Sequence, residues 1–308
     1  MDLADRVIGS FLGLALGDAL GAPFEFRRAN EVPDPVPGLE LPWTGLPPGS
    51  TTDDTAMARN LAWSLAACGG LDEDDLIRRH VEWLASDPPD VGSLTRKVLA
   101  RATRGEPAAE AARAVWEERG PEVSAGNGSV MYCGPLGIAY ANRPTRLHEL
   151  APRLSALTHF DGRCRTSTLA VTLAVAALVR GEAREAAVAD ALQSTAGREG
   201  AEELEFLVEE VGAARPVDGP DMGFCLFAAG VGLQAALRFD DAEAGLRHVV
   251  ALGGDTDTNA AVAGALLGAA VGRSGLPFAW LKRLRDRDAI EAEAADLVPL
   301  AERGVRAP

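Results

Sequence analysis

The chain has 308 residues, 47% hydrophobic but only 5% aromatic, with a formal charge of −15. That length suffices for one large core, and an Ala-, Leu- and Val-rich alphabet favours closely packed helices. The acidic balance and lack of a basic patch or Lys/Arg run argue against direct nucleic-acid binding.

The first predicted helix runs from Asp5 to Leu20, with glycines at Gly9, Gly13 and Gly17 and Gly21 just beyond its end. A glycine costs an exposed helix roughly 1 kcal/mol relative to alanine. Spaced by four, these form one narrow stripe against which another backbone can lie. The segment has no basic lead and contains Asp18, so it is expected to be neither a signal peptide nor a membrane span. Asp18 is read as a structural carboxylate bonded to a loop. Pro23 ends the helix, and Glu25 follows between two aromatics, placed for metal binding or acid/base work. The Pro- and Gly-rich stretch Asn30–Ser50 has the length of a functional loop and is read as a candidate lid.

Thr51-Thr52-Asp53-Asp54-Thr55 then opens an alanine-rich helix. Asp and Thr at a helix start are common caps, but a cap needs one side chain, and here two carboxylates crowd with several hydroxyls. Leu71–Asp75 is read as capping only. Helices continue to Glu118, broken at Pro88-Pro89 and Gly105-Glu106-Pro107. Ser124–Met131 is a Gly-rich loop whose N–H groups could cradle a phosphate. Thr158-His159 precedes a long helix to Val179, with His159 as a candidate substrate contact. Further helices are read over Glu182–Gly212, Asp221–Leu237, Asp241–Ala251 and the tail Ala289–Pro308. The four cysteines, Cys68, Cys133, Cys164 and Cys225, lack zinc-site spacing and read as small buried residues in a reducing cytosol.

The second acidic turn is Gly253-Gly254-Asp255-Thr256-Asp257-Thr258-Asn259, ahead of another helix with glycines every fourth residue, at Gly264, Gly268 and Gly272. On an ideal helix, positions i and i+2 point nearly opposite ways, so Asp255 and Asp257 converge only in a loop or helix entry, with Thr258 or Asn259 as cap. The shared stripe suggests that this helix packs on the first, bringing the two regions together. Oxygen-rich loops are what magnesium, manganese and calcium select. No period-2 strand is evident. An all-α single domain over residues 1–308 is expected.

Taken together, Gly13–Glu25, Thr52–Thr55, Gly126–Met131, Thr158-His159 and Gly253–Asn259 resemble the ADP-ribosylglycohydrolase family, in the family's order and over nearly the whole chain. The resemblance implies a compact orthogonal helical bundle with two divalent cations, Mg2+ or Mn2+, in a central cleft. It implies metal ligands at Thr52, Asp53, Asp54, Asp255, Asp257 and Thr258, with Glu25 closing over the site. ADP-ribose would be held by Gly126, Asn127, Gly128 and Ser129 and near His159. One departure stands out: the family often has arginine after the Met of the Asn-Gly loop, where this chain has Tyr132 and Cys133.

The implied activity is metal-dependent hydrolysis of the glycosidic bond between ADP-ribose and an acceptor, through an oxocarbenium-like transition state. Glu25, Asp54 and Asp257 are the candidate catalytic carboxylates. Two alternatives compete: an ADP-ribose-binding protein without catalysis on the same scaffold, and a phosphohydrolase suggested by Asp255-Thr256-Asp257-Thr258. The expected partner is an ADP-ribosylated substrate, with no membrane association, and the protein is expected to be a cytoplasmic monomer.

Overall fold

The glycine stripes mark where two helices touch backbone to backbone. The computed structural model describes residues 1–212 and 214–303; the predicted tail beyond residue 303 lies outside them. Its helices are α1 (Leu3–Gly21), α2 (Asp53–Cys68), α3 (Glu73–Ala85), α4 (Ser93–Ala102), α5 (Ala108–Arg119), α6 (Gly134–Ala139), α7 (Leu147–Ala156) and α8 (Gly162–Val179), then α9 (Arg184–Thr195), α10 (Ala201–Glu210), α11 (Cys225–Arg238), α12 (Ala242–Ala251), α13 (Thr256–Val271), α14 (Phe278–Leu281) and α15 (Arg287–Arg303).

Helices α1 and α13 run antiparallel, with Gly9, Gly13, Gly17 and Gly21 facing Gly268, Gly264, Ala260 and Thr256. A Cβ at Gly13 would overlap the Gly264 carbonyl, and one at Gly17 the Ala260 carbonyl. Hydroxyls lace the contact: Ser10 Oγ donates to Ala265 O at 2.9 Å, and Thr256 Oγ1 to Gly21 O at 2.8 Å. The last turn of α1 therefore lies against the first turn of α13.

Asp18, also near the end of α1, is fully buried. It accepts the N–H of Thr52 at 2.9 Å and of Thr55 at 3.0 Å, together with the Thr55 hydroxyl. This is the structural role expected of it. Burial pushes its pKa up to about 6 against the pull of these bonds. Through Asp18, α2 also starts beside the end of α1. The apolar core runs from Val7 to Ala301, while a small separate cluster of Leu94, Val98, Ala111, Ala112 and Val115 holds α4 to α5. Leu3–Phe24 is long and apolar enough to cross a bilayer, and 89% of an 18-residue apolar window within it is buried inside the fold.

Several expectations need correction. A two-residue antiparallel pair, β1 (Arg27–Arg28) with β2 (Gly253–Gly254), ties the segment just after Glu25 to the start of the second acidic turn. Gly253 and Gly254 adopt left-handed φ values of 69° and 80°, which glycine accepts without strain. The chain thus enters α13 early: Asp255 is the boundary residue, and Thr258 and Asn259 lie inside the helix rather than capping it. The Asn30–Ser50 stretch is anchored at two points, and its Trp43 side chain reaches Glu25. Gly38 packs on the Trp280 indole, and Arg285 N–H donates to Gly49 O at 2.9 Å. Cys68 is exposed, whereas the other three cysteines are buried. Finally, a short basic run does occur, Lys282–Arg287. Two of its cations are paired, Arg283 with Glu40 at 3.0 Å and Arg287 with Asp288.

Replacing Gly13 or Gly264 with alanine forces the α1 and α13 backbones apart. We expect a loss at or above the upper end of the roughly 1–3 kcal/mol typical of overpacking, read as a lower urea midpoint. An unchanged midpoint would contradict the contact.

Candidate active site and metal centre

Because α1 fixes where both α2 and α13 begin, two acidic helix starts face each other across one cleft. This cavity of about 390 Å³ is lined by Glu25, Asp53, Asp54, Asp90, Asp255, Asp257 and Thr258, by Gly126, Asn127, Gly128 and Met131, and by His159. Asp53, Asp54, Asp255 and Asp257 are buried. One oxygen each of Glu25, Asp255 and Asp257 lie within 4.8 Å of one another. Asp255 precedes the helix proper, with φ −82° and ψ 76°, and Asp257 sits in its first turn. The helix entry is what lets alternate residues converge.

Four of the carboxylates are anchored by donors of the chain. Asn127 Nδ2 donates to Asp255 Oδ2 at 2.9 Å. Gly92 N–H donates to Asp53 Oδ2 at 3.1 Å. Thr258 N–H donates to Asp257 Oδ1 at 2.9 Å. Asp54 Oδ2 accepts from the Thr52 and Thr258 hydroxyls at 3.0 and 3.4 Å. Thr52 is thus turned onto Asp54 and also caps α2, and it is not among the residues that line the cleft.

The charge is unbalanced. No Lys or Arg lines the cleft among the described residues. Burial, then the neighbouring Asp90 and Asp255, push Glu25 up to about 8. Burial and adjacent acids likewise hold Asp53, Asp54 and Asp257 well above the usual carboxylate range, and burial raises Asp255. Asp54 Oδ1 is buried with no hydrogen-bond partner. An orphaned carboxylate oxygen within an all-oxygen donor set suits a hard divalent cation, so the residues present fit a metal.

Two predicted residues behave differently. Ser129 turns away from the cleft: the 3-10 turn Asn127–Ser129 directs Asn127 to Asp255 and Ser129 to Ser155 and Thr168, at 2.9 and 3.3 Å. His159 does line the cleft, against Gly126 and Gly128, and burial pushes its pKa down to about 4, so its ring is neutral. Asp90 and the Val91–Thr95 segment were missed. The sequence offered only an Asp after Pro88-Pro89, indistinguishable from an ordinary helix lead-in. Among the described residues, Asp255-Thr256-Asp257-Thr258 begins a helix rather than ending a parallel strand, which removes the basis of the phosphohydrolase reading.

Comparison with known proteins agrees with this geometry. The ADP-ribosylglycohydrolase family profile matches residues 1–306. The ADP-ribosyl-[dinitrogen reductase] glycohydrolase of Rhodospirillum rubrum is 32% identical, over 91% of this chain and 90% of that protein. The ADP-ribosylarginine hydrolase Tri1 of Serratia proteamaculans (strain 568) is 27% identical, over 96% of this chain and 80% of that protein. A solved structure of an ADP-ribosylglycohydrolase-related protein complex superposes with a TM-score of 0.81 at 34% identity, covering 97% of this chain and 99% of that one.

With chelator present, the folded state holds protons that the unfolded chain releases above its ordinary carboxyl pKa values of 3.8 and 4.5. Raised folded-state values favour the fold at low pH, so stability falls as pH rises from that range through about 8. Asp257→Asn should flatten this slope and raise the chelated protein's stability by about 0.5–2 kcal/mol. A steeper slope in the variant, measured by urea unfolding across pH, would contradict the crowding.

Proposed function

The chain belongs to the ADP-ribosylglycohydrolase family, and we propose that it frees ADP-ribose from a cationic acceptor, an arginine side chain, with two divalent cations, Mg2+ or Mn2+, in the cleft. It is an ADP-ribosyl glycohydrolase. The observation that carries the finer reading is the carboxylate cluster itself. Glu25, Asp255 and Asp257 converge within 4.8 Å, and Asp53, Asp54 and Asp90 share the same lining, free of Lys and Arg. Six carboxylates exceed the charge of two divalent cations. The surplus, on Glu25 and Asp90, favours a positively charged leaving group such as a guanidinium, the acceptor named in the Serratia relative.

Asp53, Asp54, Asp255, Asp257 and the Thr258 hydroxyl are the residues that would hold the cations. When bound, such ions supply Lewis acidity toward sugar hydroxyls and water. The remaining work falls to the chain. The Gly126–Gly128 loop presents backbone N–H groups to the anionic part of the substrate. Asn127 keeps Asp255 in place. Glu25 is less buried than Asp255 and Asp257, and its neighbouring donor is the Trp43 side chain rather than a backbone N–H. It is therefore the acid free to pass a proton to the departing acceptor and take one from the attacking water.

The test is a panel of ADP-ribosylated arginine, serine and nucleic-acid substrates, assayed with magnesium, manganese or chelator. Turnover of the arginine substrate, abolished by chelator, is expected. Glu25→Gln should keep its metal but lose about 10²–10⁴ in kcat. Asp255→Asn and Asp257→Asn should lose both metal and turnover. Full metal content and undiminished ADP-ribose release in the Asp257 variant would end the proposal.

A further inference from the structure

Tyr132 stands where the family often has arginine, and the site described so far gives it no task. Its ring is completely buried. It packs edge-on against His80, with centroids 5.4 Å apart and planes at 72°. His80 is itself held from α2, where Asn60 Nδ2 donates to its Nδ1 at 3.2 Å. The Tyr132 hydroxyl thus occupies a fixed place, beside the Thr158 hydroxyl but just outside full hydrogen-bond geometry.

Thr158 is buried too. Among the described residues its hydroxyl has one hydrogen-bond partner, His159 Nδ1, at 3.0 Å. The other side of the same imidazole forms the cleft wall: a Cβ added at Gly128 would lie 2.9 Å from Nε2. A buried row of Tyr132, Thr158 and His159 therefore leads from the core to the substrate loop.

The direction of the row follows from proton counting. Burial pushes the Tyr132 pKa up, so the phenol keeps its proton. The phenol lies beside Thr158 Oγ1 without completing a hydrogen bond to it. Among the described residues His159 Nδ1 is the one acceptor in hydrogen-bond reach of the Thr158 hydroxyl, and leaving that buried O–H unpaired would carry a cost, so its hydrogen goes to Nδ1. An imidazole that accepts at Nδ1 and is neutral carries its proton on Nε2.

We infer that Thr158, backed by Tyr132, is a positioning residue that fixes His159 as the Nε2–H tautomer, so that the cleft wall presents an uncharged donor to an anionic oxygen of the substrate. An uncharged donor suits this cleft. A cation at that place would pair with the carboxylates and compete with the metal. The reading of the substrate rests on the function proposed above, whereas the tautomer does not.

Two measurements test it. In protein labelled with 15N at histidine, two-bond 1H–15N correlations report which ring nitrogen carries the proton, with the His159 signals assigned by their loss in His159→Gln. The wild type should show the proton on Nε2. Thr158→Val, which keeps the shape and removes the hydroxyl, should populate the Nδ1–H form, and Thr158→Ser should restore the wild-type pattern. Tyr132→Phe should shift the same signals while leaving the urea midpoint unchanged, because the lost hydroxyl makes no full hydrogen bond. In kinetics, Thr158→Val should raise KM about tenfold, the effect of one lost hydrogen bond, with kcat unchanged and Thr158→Ser near wild type. A wild-type proton on Nδ1, or an unaltered His159 spectrum in both Thr158→Val and Tyr132→Phe, would overturn the inference. So would an unaltered KM in a Thr158→Val protein whose tautomer has shifted. Because the ring spectrum is read without substrate, a wild type that releases no ADP-ribose refutes the proposed function and leaves the tautomer to be decided separately.

Discussion

Where α1 and α13 cross, small residues take the place of side chains along one face, and two backbones lie in direct contact with Gly13 against Gly264 and Gly17 against Ala260. Such contact has no slack. A rotation or slide of either helix drives a carbonyl into a Cα, so the register is set by steric exclusion as much as by attraction. The active cleft inherits this precision. Glu25 leaves the end of α1, while Asp255 and Asp257 open α13. Asp18 transfers the same reference to Asp53 and Asp54 through three hydrogen bonds to the start of α2. Five acids from three stretches of chain are thus located from one helix end.

Much of this was readable from the amino-acid sequence, and for a physical reason. Glycine every fourth residue is costly in a helix unless something lies against it, and paired acids beside hydroxyls are costly unless something neutralises them. Both anomalies are local in sequence, so both could be seen without coordinates. What escaped notice depends on partners that sequence does not place. Asp90 acquires its meaning only because Glu25 and Asp53 come beside it. Ser129 sits in the motif, yet a single 3-10 turn sends its hydroxyl to Ser155. The Arg27–Arg28 pairing with Gly253–Gly254 is two residues long, too short for any alternation to show. The composition of Asn30–Ser50 does not show that Gly38 packs on Trp280 or that Trp43 reaches Glu25.

The cleft also shows how a fold can be spoiled locally in the service of chemistry. Buried acids without cations nearby raise one another's pKa values, and Asp54 Oδ1 is left with no partner at all. A core designed for stability would contain neither. The surrounding helices absorb the penalty because they are fastened elsewhere, along the glycine contact and through Asp18. The acids hold their places without having to be comfortable there.

The contact between the first helix and the thirteenth has a further consequence during synthesis. Gly13 and Gly264 are separated by most of the chain, and α1 leaves the ribosome long before its partner exists. Throughout that interval the glycine face of α1 lacks the helix that covers it. Local helix pairs such as α4 with α5 can form as they emerge, but the catalytic centre is a late event that waits for α13. A nascent chain cut short before α13 would carry Glu25, Asp53, Asp54 and His159 but lack Asp257 and Thr258, and with them the helix against which α1 is registered.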